Sequence, residues 1–410
     1  MKIAIFTDCY LDLTGGIRSS IDAQKEALEK DGHEVFIFST GFPRSSAKLK
    51  KLAERSVFQV PSCKLFFLGL TPVSRRPKVI EKWLMRVFPE LSNFDVFYIH
   101  YESGCSIAGL RLGKELNIPT VQVMHGREDV GETSIIPFGF RSIVACILNW
   151  LHSLYLPHET VIPRDNYLAN SYARAKMWTL MVNHANYADL VLTPSEHFKT
   201  KLLHYGVKKE IKVFPNGISD SIFPKNPTVK TLSSGQTLRL IWHSRVSAEK
   251  RIMPFLEALD NMDGRYRLDV YGGGGDYMRA KHYATKHQLN VVFHGNTDFR
   301  AVIKKIPKAH LDVLVSYNFD TFGMSLIEAE ASGVPVFICD PDMKEIVPSG
   351  SYVISASQSS ESMATALDDL IRHPERIQQM SEVMLEHREE VLISNRIKIL
   401  ENIFNDIIKK

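Results

Sequence analysis

Cysteine is scarce in this 410-residue chain: five residues, at 9, 63, 105, 146 and 339, with no paired spacing. An odd, scattered set in hydrophobic surroundings excludes a disulfide framework and a zinc site, and predicts reduced, buried thiols in a cytosolic protein. Long apolar runs are also missing. The most hydrophobic stretch, Ser142 to Leu151, is too short to span a bilayer and is flanked by Arg141 and His152. No low-complexity tract dominates, and Met1 leads straight into the strand-like KIAIF, so no secretory signal is expected.

What remains is an ordinary globular composition, 44% apolar and 23% charged, long enough for two to three domains with their own cores. The net charge of +4 hides an uneven distribution. Between positions 41 and 86 lie eleven Lys and Arg (Arg44, Lys48, Lys50, Lys51, Arg55, Lys64, Arg75, Arg76, Lys78, Lys82 and Arg86) against only Glu54 and Glu81. Trp83, Met85, Val87 and Phe88 sit among the later cations. The segment reads either as a solvated surface with a few core-facing residues or as a face for an anionic membrane.

Strand and helix patterns alternate twice. The first half offers strands at Lys2 to Thr7, Glu34 to Ser39, Asp95 to His100, Thr120 to His125 and Asp189 to Thr193. The second offers Leu238 to His243, Arg267 to Tyr271, Asn290 to His294, Leu311 to Ser316 and Val336 to Cys339. Helical spacing at Ile17 to Lys30, Ile107 to Leu116 and Phe255 to Leu259 falls between them. This is the pattern of parallel sheets covered on both faces. Pro215-Asn216-Gly217, Phe223-Pro224-Lys225-Asn226-Pro227 and Thr231 to Gly235 form a turn-rich seam between the halves. The expected architecture is α/β, two Rossmann-like doubly wound domains facing across a central cleft. The boundaries are 1–215 for the first domain, 216–390 for the second, and 391–410 for a helix returning to the first.

The run Asp320 to Asp340, DTFGMSLIEAEASGVPVFICD, places one carboxylate on the loop after a strand and another, Glu328, on the following helix. Gly323 between them permits close backbone approach, and the free N–H groups at the helix start suit a phosphate. Four further features follow strand ends. Thr14-Gly15-Gly16 precedes the first helix, and His125-Gly126-Arg127 follows the fourth strand. Arg245 and Lys250 lie five residues apart in HSRVSAEK, a fork and a point charge that suit a diphosphate. Tyr271 is followed by four glycines, Gly272 to Gly275. A dinucleotide fingerprint would need glycine or alanine at 278, and Met278 stands there. Asp340-Pro341-Asp342 has the spacing of a metal motif but reads as a turn after a strand.

The order Gly15-Gly16, His125, Pro215-Asn216-Gly217, Arg245 to Lys250, Gly272 to Gly275, His294-Gly295-Asn296, then Asp320 to Glu328 with EAEASGVPV from Glu328 to Val336, resembles the large retaining glycosyltransferase family 4, which has the GT-B fold. Two departures stand out. Asp320 replaces the first glutamate of the family's E-x7-E motif, and Ser244, after His243, replaces the glycine before the arginine. The resemblance implies that Arg245 and Lys250 bind the donor diphosphate and offset the charge that grows as its bond to the sugar breaks. It implies that Glu328 accepts from both ribose hydroxyls and that Asp320 touches the donor sugar. Backbone N–H groups along Phe322-Gly323-Met324-Ser325 would meet sugar and phosphate, with Gly15 and Gly16 approaching the diphosphate. His125 would contact the sugar near the reacting carbon, and His294, Gly295 and Asn296 would lie at the base.

The expected activity is transfer of a hexose, with retention, from a UDP-glucose-like or GDP-mannose-like donor to a hydroxyl of a lipid or glycan. No cofactor, metal or nucleic-acid partner is expected. Ile135 to Phe140 and Ile143 to Leu156 read either as core between helices or as a surface for a lipid tail. With the basic segment, the second reading makes the protein peripheral on the inner face of the membrane. Two other classes stay open: a non-catalytic sugar-nucleotide or carbohydrate binding module on the same fold, and a nicotinamide-dependent oxidoreductase, which Met278 disfavours.

Overall fold

A computed structural model describes residues 1–8, 10–12, 15–64, 72–130, 136, 138–222 and 226–409. Cys9, Thr14, Ile135, Pro137 and the Phe223-Pro224-Lys225 part of the seam lie outside the described residues. The chain forms two units, Met1–Pro215 together with Ile397–Lys410, and Asn216–Arg396.

The first unit contains strands β1 (Lys2–Thr7), β2 (Glu34–Ser39), β3 (Val57–Gln59), β4 (Ser62–Lys64), β5 (Pro72–Ser74), β6 (Val96–His100), β7 (Thr120–Val123), β8 (Leu190–Thr193) and β9 (Ile211–Val213). Seven of them make one sheet in the order β3-β2-β1-β6-β7-β8-β9, all parallel, and β4 and β5 pair antiparallel. Helices α1 (Gly16–Lys30), α2 (Ser46–Ala53), α3 (Pro77–Val87), α4 (Gly104–Leu116), α5 (Arg141–Ser153), α6 (Tyr172–Tyr187) and α7 (Glu196–His204) connect them. The strands are apolar nearly throughout because both faces of the sheet are covered. Phe6 of β1 lies 5.2 Å from the Phe38 ring of β2 and 5.0 Å from Phe97 of β6, so three adjacent strands share one aromatic layer. Asp8, just past β1, accepts from the N–H groups of Cys105 and Ser106 at 3.0 and 3.2 Å and so caps α4.

The second unit contains β10 (Leu238–His243), β11 (Tyr266–Tyr271), β12 (Val291–Gly295), β13 (Leu311–Leu314), β14 (Val336–Ile338) and β15 (Tyr352–Ile354) in a parallel sheet ordered β12-β11-β10-β13-β14-β15. Its helices are α8 (Ile252–Asp260), α9 (Tyr277–Lys286), α10 (Phe299–Ile303), α11 (Met324–Ala331), α12 (Ser360–Arg372) and α13 (Glu375–His387). The last helix, α14 (Ile393–Ile408), begins in this unit and ends in the first, where the His33 ring meets Glu401 at 2.9 Å and Tyr98 packs edge-on against Phe404.

One expectation needs correction. Cys105 and Cys339 are buried, but Cys63 and Cys146 are only half-buried, because β4 is a short edge pair and α5 lies at the surface. The hydrophobic run that α5 occupies is core on one side only. Ala145 packs with Ala173 and Met177 of α6, whereas Phe140, Ile143, Ile147, Trp150, Leu151 and Leu154 face outward, between 43% (Leu151) and 62% (Phe140) exposed. At 100° per residue these six fall within one stripe about 100° wide.

Candidate active site

In each sheet the chain builds outward from one strand, then returns to that strand's other side. The switch falls between β10 and β13 in the second unit and between β1 and β6 in the first. Open parallel sheets bind ligands at the carboxyl ends of the strands flanking such a switch, because the loops there diverge.

In the second unit four loops leave neighbouring strand ends. Ser244 to Lys250 follows β10, Gly272 to Gly275 follows β11, Asn296 follows β12, and Ser316 to Gly323 follows β13. The glycine run shapes the loop itself. The Val246 N–H donates to the Gly273 carbonyl at 2.9 Å, and the Asp276 N–H donates to the Val246 carbonyl at 3.0 Å. A Cβ on Gly272 would fall under 3.0 Å from the Ser244 carbonyl oxygen, and one on Gly274 equally close to that of Val246. Gly272 (φ 138°) and Gly274 (φ 152°) also have backbone angles that other residues rarely adopt. These glycines thus let one loop lie against the other and set the path of the backbone that carries Arg245. The Arg245 guanidinium reaches Glu249 at 3.2 Å and stays more than half exposed, while Ser247 donates to the same carboxylate at 2.6 Å.

Asp320 and Lys250 meet directly. The ammonium donates to both carboxylate oxygens, at 2.6 and 2.9 Å, and the Ser316 hydroxyl donates to Asp320 from the strand side. Lys250 is therefore anchored through the residue that departs from the family pattern. Glu328, buried on α11, meets His243 instead: its Oε2 lies 3.2 Å from Nδ1, and the ring's Nε2 is hydrogen-bonded to Asp312 of β13. Burial opposes charge on this ring, but the two carboxylates outweigh it and hold His243 up at about 10. Burial pushes Asp312 and Glu328 upward, and the ring between them pulls both back.

Gly323 caps α11 at φ 68°, a left-handed angle that turns the chain into the helix. The Phe322 side chain is buried in the unit's core with Leu326 and Ile327, which leaves its backbone for a ligand. The exposed His294 ring stacks on the buried Tyr271 with centroids 4.3 Å apart and bonds Asp269 at 2.8 Å, so its outer face is a flat surface held from beneath. Gly295 bends at φ 69°, and the Asn296 side chain lies against Gly273.

In the first unit Gly15 and Gly16 open α1, and a Cβ on Gly15 would meet no atom within 4 Å. Packing does not require its small size, but its φ of 152° favours glycine. His125 lies two residues past β7 and stacks on His100, with its Nε2 2.6 Å from the His100 Nδ1. Burial lowers both, His125 to about 4, so one ring donates and the other accepts as neutral imidazoles.

Sequence reasoning missed His243 and Asp312. A signal existed: each is a polar residue in a strand that is otherwise apolar, LRLIWH and LDVL, and such residues need partners. Trp83 and Phe88, for which the sequence leaves both a core-facing and a membrane-facing reading open, pack on the first unit's core, whereas Met85 and Val87 lie outside with Lys78, Lys82 and Arg86.

Residues 14–221 match the family described as Glycosyltransferase Family 4, and residues 229–384 match Glycosyl transferases group 1. The chain is 25% identical over 354 residues to the alpha-monoglucosyldiacylglycerol synthase of Streptococcus pneumoniae, covering 82% of this chain and 70% of that one. Sucrose-phosphate synthase from Thermosynechococcus elongatus superposes with a TM-score of 0.70 at 13% identity, covering 100% and 99% of the two chains. Anabaena Alr3699/HepE in complex with UDP and glucose gives 0.65 at 15% identity, covering 98% and 99%. At these identities the structural likeness establishes the two-domain α/β architecture alone.

Proposed function

We propose, for a chain that belongs to glycosyltransferase family 4 and has the GT-B fold, transfer of a hexose from a nucleoside diphosphate sugar to a hydroxyl of a membrane lipid, with retention at the anomeric carbon. The carrying observation is the side-chain set at the switch point of the second unit: a Lys250–Asp320 pair and a buried Glu328 on the start of α11, beside an exposed Arg245. An arginine fork and a lysine point charge suit the two phosphates of a leaving diphosphate, whose negative charge grows as the sugar departs. Glu328 has the acceptor chemistry for vicinal ribose hydroxyls, Asp320 for a sugar hydroxyl, and the His294–Tyr271 platform for stacking a base.

The two carboxylates are not a hydrolytic couple. Each is already engaged with a cation, Asp320 with Lys250 and Glu328 with His243, so neither is poised to activate water. Attack by the acceptor hydroxyl from the face the diphosphate leaves, with that diphosphate taking the proton, retains configuration and asks only charge stabilisation of the protein. His125, neutral through burial, suits a hydrogen bond to the sugar rather than a cationic role.

A lipid acceptor is supported by three observations. The pneumococcal relative is named for a glucosyldiacylglycerol product. The outward face of α5 is apolar over four turns, and α3 presents Lys78, Lys82 and Arg86 at four-residue spacing on an exposed stripe. Arg111 of α4 ties these helices together, donating to Glu81 of α3 at 2.6 Å and to the Tyr155 carbonyl just past α5 at 3.2 Å. Among the described residues no helix is long and apolar enough to cross a membrane, so the contact proposed is peripheral.

The deciding experiment screens sugar nucleotides for thermal stabilisation and then offers the best donor with diacylglycerol, glycosyl-diacylglycerol and soluble glycans. An α-linked glycolipid from an α-linked donor is expected. A protein that binds a sugar nucleotide but transfers to none of these acceptors is instead the binding module.

A further inference from the structure

His243 ends a strand whose other residues are apolar or face solvent, and it has no counterpart in the motifs that carry the family resemblance. Both of its ring nitrogens face carboxylate oxygens: Nε2 is hydrogen-bonded to Asp312, and Nδ1 lies 3.2 Å from the Glu328 Oε2. All three side chains are buried. A neutral imidazole has one donor and one acceptor, so it would set a lone pair against one carboxylate; only the doubly protonated ring satisfies both. Asp312 from β13 and Glu328 from α11 are the charged groups that act on the ring. The other Asp312 oxygen is buried without a hydrogen bond, so His243 is the charge that compensates this carboxylate, with the Val313 backbone assisting.

We infer that His243 is a positioning residue for the donor: anchored on Asp312, it fixes one oxygen of Glu328 and keeps that side chain an ionised acceptor whose second oxygen is free for the hydroxyls of a ribose. The inference rests on the donor reading of Glu328 given above. Its physical content is the charge state of a buried carboxylate. With the ring removed, Glu328 and Asp312 would be two buried carboxylates repelling one another, and burial would hold one of them protonated to higher pH. A protonated Glu328 loses acceptor capacity toward a vicinal diol. The ring therefore acts through Glu328 and touches no donor atom itself.

The test measures UDP and GDP dissociation constants by calorimetry on the full chain between pH 6 and pH 9. Wild type is expected to bind one of them with an affinity nearly flat in pH. His243→Gln, which keeps amide donors but no charge, is expected to bind about tenfold more weakly at pH 7, in line with loss of a charge-assisted hydrogen bond, and to regain affinity as pH rises and Glu328 ionises. In a Glu328→Gln background the same substitution is expected to cost less than twofold. Wild-type affinity with a flat profile in His243→Gln, or an equal loss in both backgrounds, overturns the inference while leaving the donor reading intact. Absence of binding by wild type to either nucleotide overturns the donor reading and the inference with it. Should His243→Gln not fold, 15N spectra of the wild-type histidines decide. A doubly protonated ring at pH 8 whose signal moves on adding the bound nucleotide is expected, and a neutral ring or an indifferent signal overturns it.

Discussion

Helix α5 offers a sharp quantitative test of the membrane proposal, because its outward face can be altered without touching a core. The perturbation is the triple substitution Ile143→Ser, Ile147→Ser and Trp150→Ser. Each of these side chains has about half of its surface exposed, at 56%, 48% and 59%. Full burial of a large apolar side chain is worth roughly 1.5–3 kcal/mol, so covering the exposed half contributes about 1 kcal/mol per residue and about 3 kcal/mol for the three. At a factor of ten per 1.4 kcal/mol, the variant should bind vesicles roughly 100-fold more weakly.

The assay is co-sedimentation with vesicles of phosphatidylcholine, with and without phosphatidylglycerol. Surface substitutions of this kind change stability by only about 0.5 kcal/mol each, so the melting temperature is the control. The helix itself stays fixed by its inner face, where His152 bonds His158 at 2.7 Å and His184 of α6 at 3.0 Å. The apolar loss should also be independent of salt, whereas replacing Lys78, Lys82 and Arg86 by serine should weaken only the binding to anionic vesicles, by about 1 kcal/mol per charge, and salt should mask it. Vesicle affinity equal to wild type in the triple serine variant would refute the assignment of α5 as the inserted face.

Further outcomes follow from single side chains. Lys250→Ala should cut turnover on the order of 100-fold with a smaller change in folding, by removing charge stabilisation at the departing diphosphate; turnover near wild type would remove that role. Gly274→Ala places a Cβ against the Val246 carbonyl at a backbone angle alanine resists, at roughly 1–3 kcal/mol. Its melting temperature should fall by several degrees, whereas Gly275→Ala, with open space around its Cβ position, should melt like wild type. Glu330, buried on α11 with one oxygen unpartnered, has its carboxyl pushed up to about 8 by burial, with Arg396 opposing. A raised acid pKa contributes stability below the unfolded value near 4.5, and this is lost as pH rises through 8. Wild-type melting should therefore fall between about pH 5 and pH 9, and Glu330→Gln should flatten that fall.

The long elements were legible because their cause is local. A fully covered parallel strand must be apolar along its length, so β1, β2, β6, β10 and β13 announce themselves, and the helices between them carry the 3.6-residue spacing. The three-residue strands β3, β9 and β15 were not seen. Such segments are too short to show a period, and they become strands only because a neighbouring edge supplies hydrogen bonds, as Ile37 to Ser39 do for Val57 to Gln59. Helix α5 shows a different limit. Its composition suits both a buried helix and an exposed apolar face, and only the tertiary arrangement reveals that small Ala145 faces inward while the larger side chains face out.

The motif residues were legible as a list, but their partnerships were not. Asp320 read as a shortened sugar contact, yet its carboxylate is bound by Lys250, 70 positions away in the chain, and by Ser316. One fewer methylene draws the carboxylate back by about 1.5 Å, which suits an acid that must reach a lysine and a strand-end hydroxyl at once. The same logic governs Glu328. Its presence on α11 is a sequence fact, but its charge depends on an imidazole from β10 and an aspartate from β13, two strands adjacent only because the sheet reverses its winding there. A polar residue in an apolar strand has no local explanation, and two of them on adjacent strands explain each other. The switch point thus brings together a buried charge network that no window of sequence contains, and that network sets whether the most recognisable carboxylate of the site can act as an acceptor.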